Sequence, residues 1–495
     1  MAQVYQGELF SQYETARCSL LLDDNRLLVI PARTDVMEYL TFVEKKMELV
    51  ATASGRPRRQ TTRTQKPFFV LIRDSVGAEA IQTYAGMWKR VYDFLREKGV
   101  EVRFSDLRKP FPAPKLERMC GFRYSQEDLL RRALALNMSG LICAPTRYGK
   151  STLIANTCRA YPGVRTVILM PGVELLEQQL KDFKKALPHR KIVHIGGPRS
   201  AQFQNDDITL CLMDDTALAR LDAADTQLVL IDEPHTLVTD CQLSSYVNFE
   251  NARKLGYGAT ITGRYDNRDV LIEGTIGPVL VNKTFPEARD EGAVAPIIVF
   301  MLEVPLTGSI PSDRLQAYKS RLYEDGHMAA NIAAICKSII PPNWQTLMFI
   351  ANEKQALFYN EHIEGSEIAM AKTMNGKQRL ETQRRMVENE LMRCLSTNIY
   401  ATGVTFSDLR VVINLAGGGG NALSIQKPGR VAEVRPGKRC GVVIDVLFSA
   451  ETGGGAKQLA GESWARYNMY KERGYDLRIV RTMGELREAF NRDCL

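Results

Sequence analysis

Short runs of Leu, Val, Ile and Phe at 27–31, 68–73 and 100–104 alternate with helix-like stretches at 34–49 and 77–98. That alternation predicts a small α+β unit over the first hundred or so residues. Within it the segment RPRRQTTRTQK (56–66) carries five basic residues, no acid and no hydrophobic period, and reads as an exposed, mobile loop. Prolines at 110, 112 and 114 exclude helix or central strand and place a linker before a boundary near 118. The pattern then changes to buried-type strand, turn and helix in repetition: 140–143 with a helix from Lys150, 166–170 with a helix from Glu174, then 228–231 and 256–260. A second series runs through 297–302, 346–350, 394–396, 410–415 and 441–446. Continuous apolar strands alternating with helices predict parallel sheets covered on both faces.

The expected fold class is therefore α/β, with two parallel-sheet domains at 119–288 and 289–495 preceded by a small α+β accessory domain at 1–118, the chain ending in a helical tail. The glycine runs at 417–420 and 453–455 are expected to be mobile loops. No repeat of solenoid or propeller period is present.

Composition narrows the class. A hydrophobic share of 45% and a charged share of 25% are those of an ordinary folded protein. No apolar run reaches about 18 residues, and the first residues lack the regions of a signal peptide, so neither membrane nor secretion is indicated. Ten cysteines without a CxxC pair, and five unclustered histidines, fit reduced thiols better than disulfides or zinc. The expected location is the cytoplasm. The net charge of +8 is compatible with a polyanionic partner and does not by itself demand one.

The chemistry is concentrated in two places. In SGLICAPTRYGKSTLIANTC, residues Ala144, Pro145, Thr146, Arg147, Tyr148, Gly149, Lys150, Ser151 and Thr152 lie between an apolar strand and a helix. Backbone N–H groups and the positive helix end can surround phosphates there, with Lys150 on the β- and γ-phosphates and the Ser151 hydroxyl on Mg²⁺. GKS alone is weak evidence, because Ala144 stands where the general phosphate-loop pattern has Gly. The second place supplies the missing weight: TQLVLIDEPHTL ends a strand in Asp232 and Glu233. Asp232 there can hold the water shell of Mg²⁺, while Glu233 orients and deprotonates the attacking water. A lone acidic pair after a strand is usually a turn or cap; joined to the phosphate loop it reads as catalytic. ATP and Mg²⁺ are the implied cofactors.

APTRYGKS with DEPH resembles the DExH-box helicases of superfamily 2, and further blocks occur in that family's order across about 120–445. Phe122 to Gln126 resembles the adenine-reading element, with Gln126 as the contact to the base. Ile168 to Pro171, with Glu174 to Gln178 just after, resembles motif Ia, which touches the nucleic-acid backbone through residues such as Pro171. Gly258-Ala259-Thr260 resembles motif III, which links hydrolysis to strand binding, and His235 by the same resemblance connects the ATP site to it. Leu347 to Ala351 resembles motif IV, the segment holding Thr402 and Gly403 motif V, and QKPGR (426–430) motif VI. The finer likeness is to UvsW-type phage helicases, which remodel branched DNA, and to their XPB-like and restriction-translocase relatives. It rests on the DExH box, the form of motif VI and the phrase SWARYNMYKERGYDLRIV.

The resemblance implies two RecA-like domains, with Arg430 stabilising the γ-phosphate as it leaves, Arg435 as a possible substitute finger, and DNA (single-stranded, duplex or branched) as partner. It also suggests a nucleoid-associated setting or an infected bacterial cytoplasm. Arg56, Arg58, Arg59 and Arg63 of the basic segment are the expected accessory DNA contacts, weighed equally against a merely solvated loop. Two residues depart from the pattern: Arg147 stands where the family has Gly, and Glu433 where motif VI has its second arginine. RNA as the substrate, and an ATP-switched assembly module that does not unwind, remain as alternative readings.

Overall fold

The computed structural model describes the chain except residues 1–16, 51–57, 199, 237–238, 260–266, 371–375, 398–399, 401–405, 407, 420–426 and 450–454. The chain divides into two compact units, one of Met1–Ala144 with Lys150–Asn282 and the other of Pro145–Gly149 with Lys283–Leu495.

The first unit opens with β1 (Cys18–Leu22), β2 (Arg26–Ile30), β3 (Thr41–Val50), β4 (Arg58–Pro67), β5 (Phe69–Arg73), β6 (Glu79–Tyr84) and β7 (Val102–Asp106). Five of these form a mixed sheet in the order β5-β6-β2-β1-β7, while β3 and β4 pair only with each other as an antiparallel ribbon. Next come β8 (Gly140–Cys143), β9 (Thr166–Met170), β10 (Ile192–Ile195), β11 (Ile208–Leu212), β12 (Leu228–Asp232), β13 (Arg253–Gly258) and β14 (Val279–Asn282). They make a seven-stranded sheet, β10-β11-β9-β12-β13-β8-β14, and every pairing in it is parallel. The strands β8, β9, β12 and β13 are buried at every position, as a sheet covered by helices on both faces requires. The two sheets share one hydrophobic cluster, in which Leu20, Val91 and Leu95 join Leu141, Val167, Leu169 and Ile231.

The second unit is another seven-stranded sheet: β15 (Ile297–Pro305), β16 (Gln345–Phe349), β17 (Ser366–Ala369), β18 (Arg393–Ser396), β19 (Leu409–Asn414), β20 (Gly441–Ser449) and β21 (Asp476–Val480). Its order is β17-β18-β16-β19-β20-β15-β21, again parallel throughout. The fold is two RecA-like domains with a small α+β region at the N-terminal end. In the middle of the second sheet the Asp445 carboxylate takes Arg466 in a two-pronged contact at 2.9 Å on each oxygen, the Tyr470 hydroxyl at 2.7 Å and the Asn414 amide at 3.0 Å. Both members of the ion pair are inaccessible to solvent, so these added bonds offset the desolvation of the two charges.

Four local expectations change. The basic segment expected as a mobile loop is strand β4 from Arg58 onward, paired with β3 over ten residues; Arg56 lies outside the described residues. Its threonines at 61, 62 and 64 favour a pleated backbone, and a two-stranded ribbon with solvated faces needs no apolar alternation. The stretch 34–49 is a short helix (Thr34–Tyr39) joined to β3, and 77–98 is β6 joined to the helix Trp88–Glu97. The glycine loop at 417–419 is held in place. Its neighbour Ala416 accepts a hydrogen bond from the Tyr323 hydroxyl at 3.0 Å, Gly418 donates to the Tyr318 hydroxyl at 2.9 Å, and the Gly418 carbonyl accepts from Arg466. Gly417 has φ +66° and lies so close to the Tyr318 ring that a Cβ would sit 2.3 Å from it, so glycine here serves packing and not mobility. Beyond these, β21 joins β15 at the edge of the second sheet, and the helix Met483–Cys494 follows it.

Candidate ATP site

Loop 144–149 leaves the carboxyl end of β8 and runs into the helix Lys150–Ala160. Its start is fixed by the sheet, since the Ala144 N–H donates to the Gly258 carbonyl at 3.0 Å and so carries the β8–β13 pairing one residue further. Tyr148 N–H closes a turn onto the Pro145 carbonyl at 3.2 Å. Gly149 takes φ +94° and Arg147 takes φ +75°. Arg147 thus keeps the left-handed backbone of the glycine that usually stands there, at the steric cost a Cβ brings in that region. Tyr148 is buried at 2% exposure, which makes it part of the loop's packing.

The acidic pair arrives on β12, separated from β8 by β13 alone. Asp232 is the last residue of the strand, in register with Tyr257, and Glu233 turns off it with φ +49° while its N–H donates to the Tyr257 carbonyl at 2.8 Å. This turn brings the Glu233 carboxylate to Lys150, with Nζ 3.1 Å from Oε1. The other oxygen, Oε2, lies 3.4 Å from Nδ1 of His235, a buried residue on the short helical turn Pro234–Thr236. That turn packs on Gly256, where a Cβ would come within 3.2 Å of Pro234 and 2.7 Å of Leu141. Burial pushes the Asp232 carboxyl up to about 7, the adjacent Glu233 charge pushes the same way, and Lys150 opposes both. Two adjacent carboxylates against one ammonium leave a negative surplus that suits a hard divalent cation. Among the described residues no group of three or more His, Cys, Asp or Glu is built to hold a metal. A cation here would therefore depend on phosphate oxygens and water as well, which is how Mg²⁺ is commonly bound.

Several polar residues around this pair were not legible as site residues. Gln179, on the helix Val173–Ala186, donates Nε2 to Ser151 Oγ at 2.5 Å and so orients the hydroxyl expected on the cation. Its signal lay in the helix period, because Leu176, Gln179 and Phe183 recur on one buried face and a polar residue there needs a partner. Asn156 joins the helix Lys150–Ala160 to the segment before Gln126: Oδ1 accepts from Cys120 N–H at 2.8 Å, and Nδ2 donates to the carbonyls of Cys120 and Thr152, each at 3.0 Å. Tyr257 and Thr157 share a buried hydroxyl–hydroxyl bond of 2.6 Å beneath the acidic pair.

Of the expected site residues, Lys150, Asp232, Glu233 and His235 come together at the carboxyl ends of β8 and β12, while Ser151, next to Lys150 in sequence, accepts its hydrogen bond from Gln179. Gln126 begins the helix Gln126–Ala135 and is buried, with Oε1 accepting from Arg123 N–H at 2.9 Å. Pro171 directly succeeds β9. In the second unit Arg430 is buried and closes a helical turn onto the Lys427 carbonyl, with N–H to oxygen at 3.2 Å. Glu433 pairs with Arg435 at 3.0 Å. Thr260, Thr402 and Gly403 lie outside the described residues, and for Arg58 and Arg59 only the backbone is described.

The family described as "Type III restriction enzyme, res subunit" matches residues 119–263. "Putative helicase 22" of Sulfolobus islandicus filamentous virus is 25% identical over 238 residues, covering 45% of this chain and 42% of that protein. The match thus spans less than half the length of that relative. Among solved structures, a fragment assigned to the HsdR subunit of a type I restriction enzyme from Vibrio vulnificus has a TM-score of 0.58 at 15% identity, over 90% of this chain and 93% of that one. A variant of S. cerevisiae Dbp5 bound to RNA and ADP–BeF3 has a TM-score of 0.51 at 14% identity, over 74% and 93%. The Type ISP restriction-modification enzyme LlaBIII bound to DNA has a TM-score of 0.51 at 13% identity, over 81% and 35%. At these identities the structures share a fold with this chain.

Proposed function

Because the chain is built on the helicase core of superfamily 2, we propose that it is a nucleic-acid-dependent ATPase that translocates on DNA and remodels or unwinds duplex or branched substrates. The observation that carries this reading is the Lys150–Glu233 contact at 3.1 Å beside Asp232 and Ser151. In it one ammonium and two adjacent carboxylates meet beside the loop that follows β8, and Ser151 succeeds Lys150 on the helix that the loop enters. Lys150 and the loop N–H groups bind the phosphates, while Ser151 and Asp232 would hold Mg²⁺, which screens the phosphate charge when bound. Glu233 takes the proton of the attacking water. In ATP's absence Lys150 neutralises Glu233; the binding of phosphates gives the ammonium a stronger partner and frees the carboxylate to act as base. His235, against the other Glu233 oxygen, holds that carboxylate in line. Arg430 is the residue assigned to the charge that develops on the γ-phosphate.

The test is ATP turnover in the presence of single-stranded DNA, forked DNA, blunt duplex and RNA, with strand displacement monitored in parallel. Stimulation by DNA forms with displacement of a forked strand is the expected result. Stimulation by RNA alone would reassign the substrate, and turnover indifferent to every nucleic acid would overturn the reading.

A further inference from the structure

Residues 258–260, which resemble motif III, precede the helix Asp269–Ile276 in sequence, and the N-terminal region meets that helix just before its start and again at residues 273–274. Gly86 approaches its backbone so closely that a Cβ would lie 2.0 Å from the Glu273 carbonyl oxygen, and a Cβ on Gly274 would lie 2.3 Å from the Phe68 ring. Arg90 donates to Glu273 Oε2 through Nη2 at 2.6 Å and Nε at 3.1 Å. At the start of the helix, Asn267 Nδ2 donates to the Val43 carbonyl at 2.8 Å, and Arg268 Nη1 lies 3.6 Å from Oε1 of Glu44. Glu44 is a carboxylate only 3% exposed, and its Oε2 takes Lys66 Nζ at 3.0 Å. Val43, Glu44 and Lys66 form the root of the β3–β4 ribbon, so the ribbon is fastened at its base to residues 267–268.

The ribbon itself has the form and charge of a nucleic-acid contact. Ten paired residues at roughly 3.3 Å each give it a reach of about 30 Å, and a two-stranded ribbon is of a size to enter a duplex major groove. Strand β4 contains Arg58, Arg59, Arg63 and Lys66 without an acid, while in β3 Lys45 and Lys46 are balanced by Glu44 and Glu48, so the positive surplus of the ribbon is carried by β4. The register sets Lys45 directly opposite Arg63, which is exposed. Like charges facing each other across a strand pair disfavour the pairing, and a polyanion laid along them reverses the sign.

We propose that the β3–β4 ribbon binds the phosphates of duplex nucleic acid and is latched through Glu44 and Arg268 to the segment just after motif III, so that duplex bound at the ribbon raises ATP turnover. This rests on the ATP-driven reading above. Lys45 and Arg63 supply the grip, while Glu44 is a positioning residue that touches neither nucleotide nor nucleic acid.

The experiment compares the full chain with Lys45→Ala/Arg63→Ala and with Glu44→Gln, which keeps the side chain's shape. It measures duplex affinity at several salt concentrations, and ATP turnover titrated with blunt duplex DNA or with oligo-dT. The double ribbon variant is expected to bind duplex more weakly, with a log–log salt slope reduced by about 1.8, and to keep its oligo-dT stimulation. Glu44→Gln is expected to bind duplex within about twofold of the wild type yet lose about fivefold or more of the maximal duplex-stimulated rate, again with oligo-dT stimulation retained. Arg268→Gln, cutting the latch from the other side, should behave as Glu44→Gln does; thermal melts check that each variant is folded. Unchanged duplex affinity and slope in the ribbon variant, or unchanged duplex stimulation in both latch variants, overturns the proposal. Wild-type protein stimulated by oligo-dT but not by duplex sinks the ribbon proposal alone, whereas stimulation by neither sinks the ATP-driven reading beneath it.

Discussion

Replacing Glu233 with Gln is the sharpest perturbation of the site. The side chain sits 17% exposed between Lys150 at 3.1 Å and His235 at 3.4 Å, and Gln fills the same volume while surrendering the charge and the basic oxygen. Two effects of different size result. Loss of the base removes a general-base contribution of about 10² to 10⁴ in rate, which at 1.36 kcal/mol per tenfold is about 2.7 to 5.4 kcal/mol of transition-state stabilisation. Electrostatically, the neighbouring Asp232 loses the second cause of its raised pKa and keeps the first, its burial, so it ionises more readily beside Lys150. Cation and nucleotide binding should therefore survive or improve while turnover collapses. The assay is steady-state phosphate release at saturating DNA, paired with nucleotide affinity measured by a fluorescent ATP analogue in the presence of Mg²⁺. A drop of at least about a hundredfold in kcat with affinity retained is expected. Turnover within a factor of about three of the wild type would mean that another group takes the proton, since a loss of that size is only about 0.65 kcal/mol.

Lys150→Ala removes the ammonium that faces both phosphates and Glu233, so it should lose nucleotide affinity as well as turnover; unimpaired nucleotide binding would refute its role. Arg430→Ala is expected to lose about 10³ to 10⁵ in turnover while DNA affinity is retained, and Glu433→Ala to stay within about tenfold of wild type in the same assay. Full activity in Arg430→Ala would remove it as the arginine finger. Arg466→Met should destabilise the chain by about 3 to 5 kcal/mol by leaving Asp445 charged and buried without its partner, read as a lowered denaturant midpoint. Asp445→Leu in the same chain should return part of that loss, and a further loss instead would refute the pair's assignment as a desolvated ion pair.

Much of this was already written in the sequence. Buried parallel strands must be continuously apolar, so GLIC, TVILM and LVLID announced β8, β9 and β12 within a residue of their ends. The loop proposed to hold phosphates could be picked out just beyond β8, and the acidic pair at the end of β12. Edge strands carry no such signal. Strands β10, β14, β17 and β21 have half-solvated positions, which made them indistinct from loops until the sheet gave them a partner. The same physics hid the β3–β4 ribbon: its stabilisation comes from ten cross-strand pairings, a property of two segments together, and no periodicity in either one records it. The sequence determined which residue types stand where ATP chemistry is proposed. Only the tertiary structure decided that Gln179 reaches Ser151, that Gly417 packs on Tyr318 and that Glu44 meets Arg268, because each contact joins segments far apart in the chain whose meeting depends on how the strands are ordered.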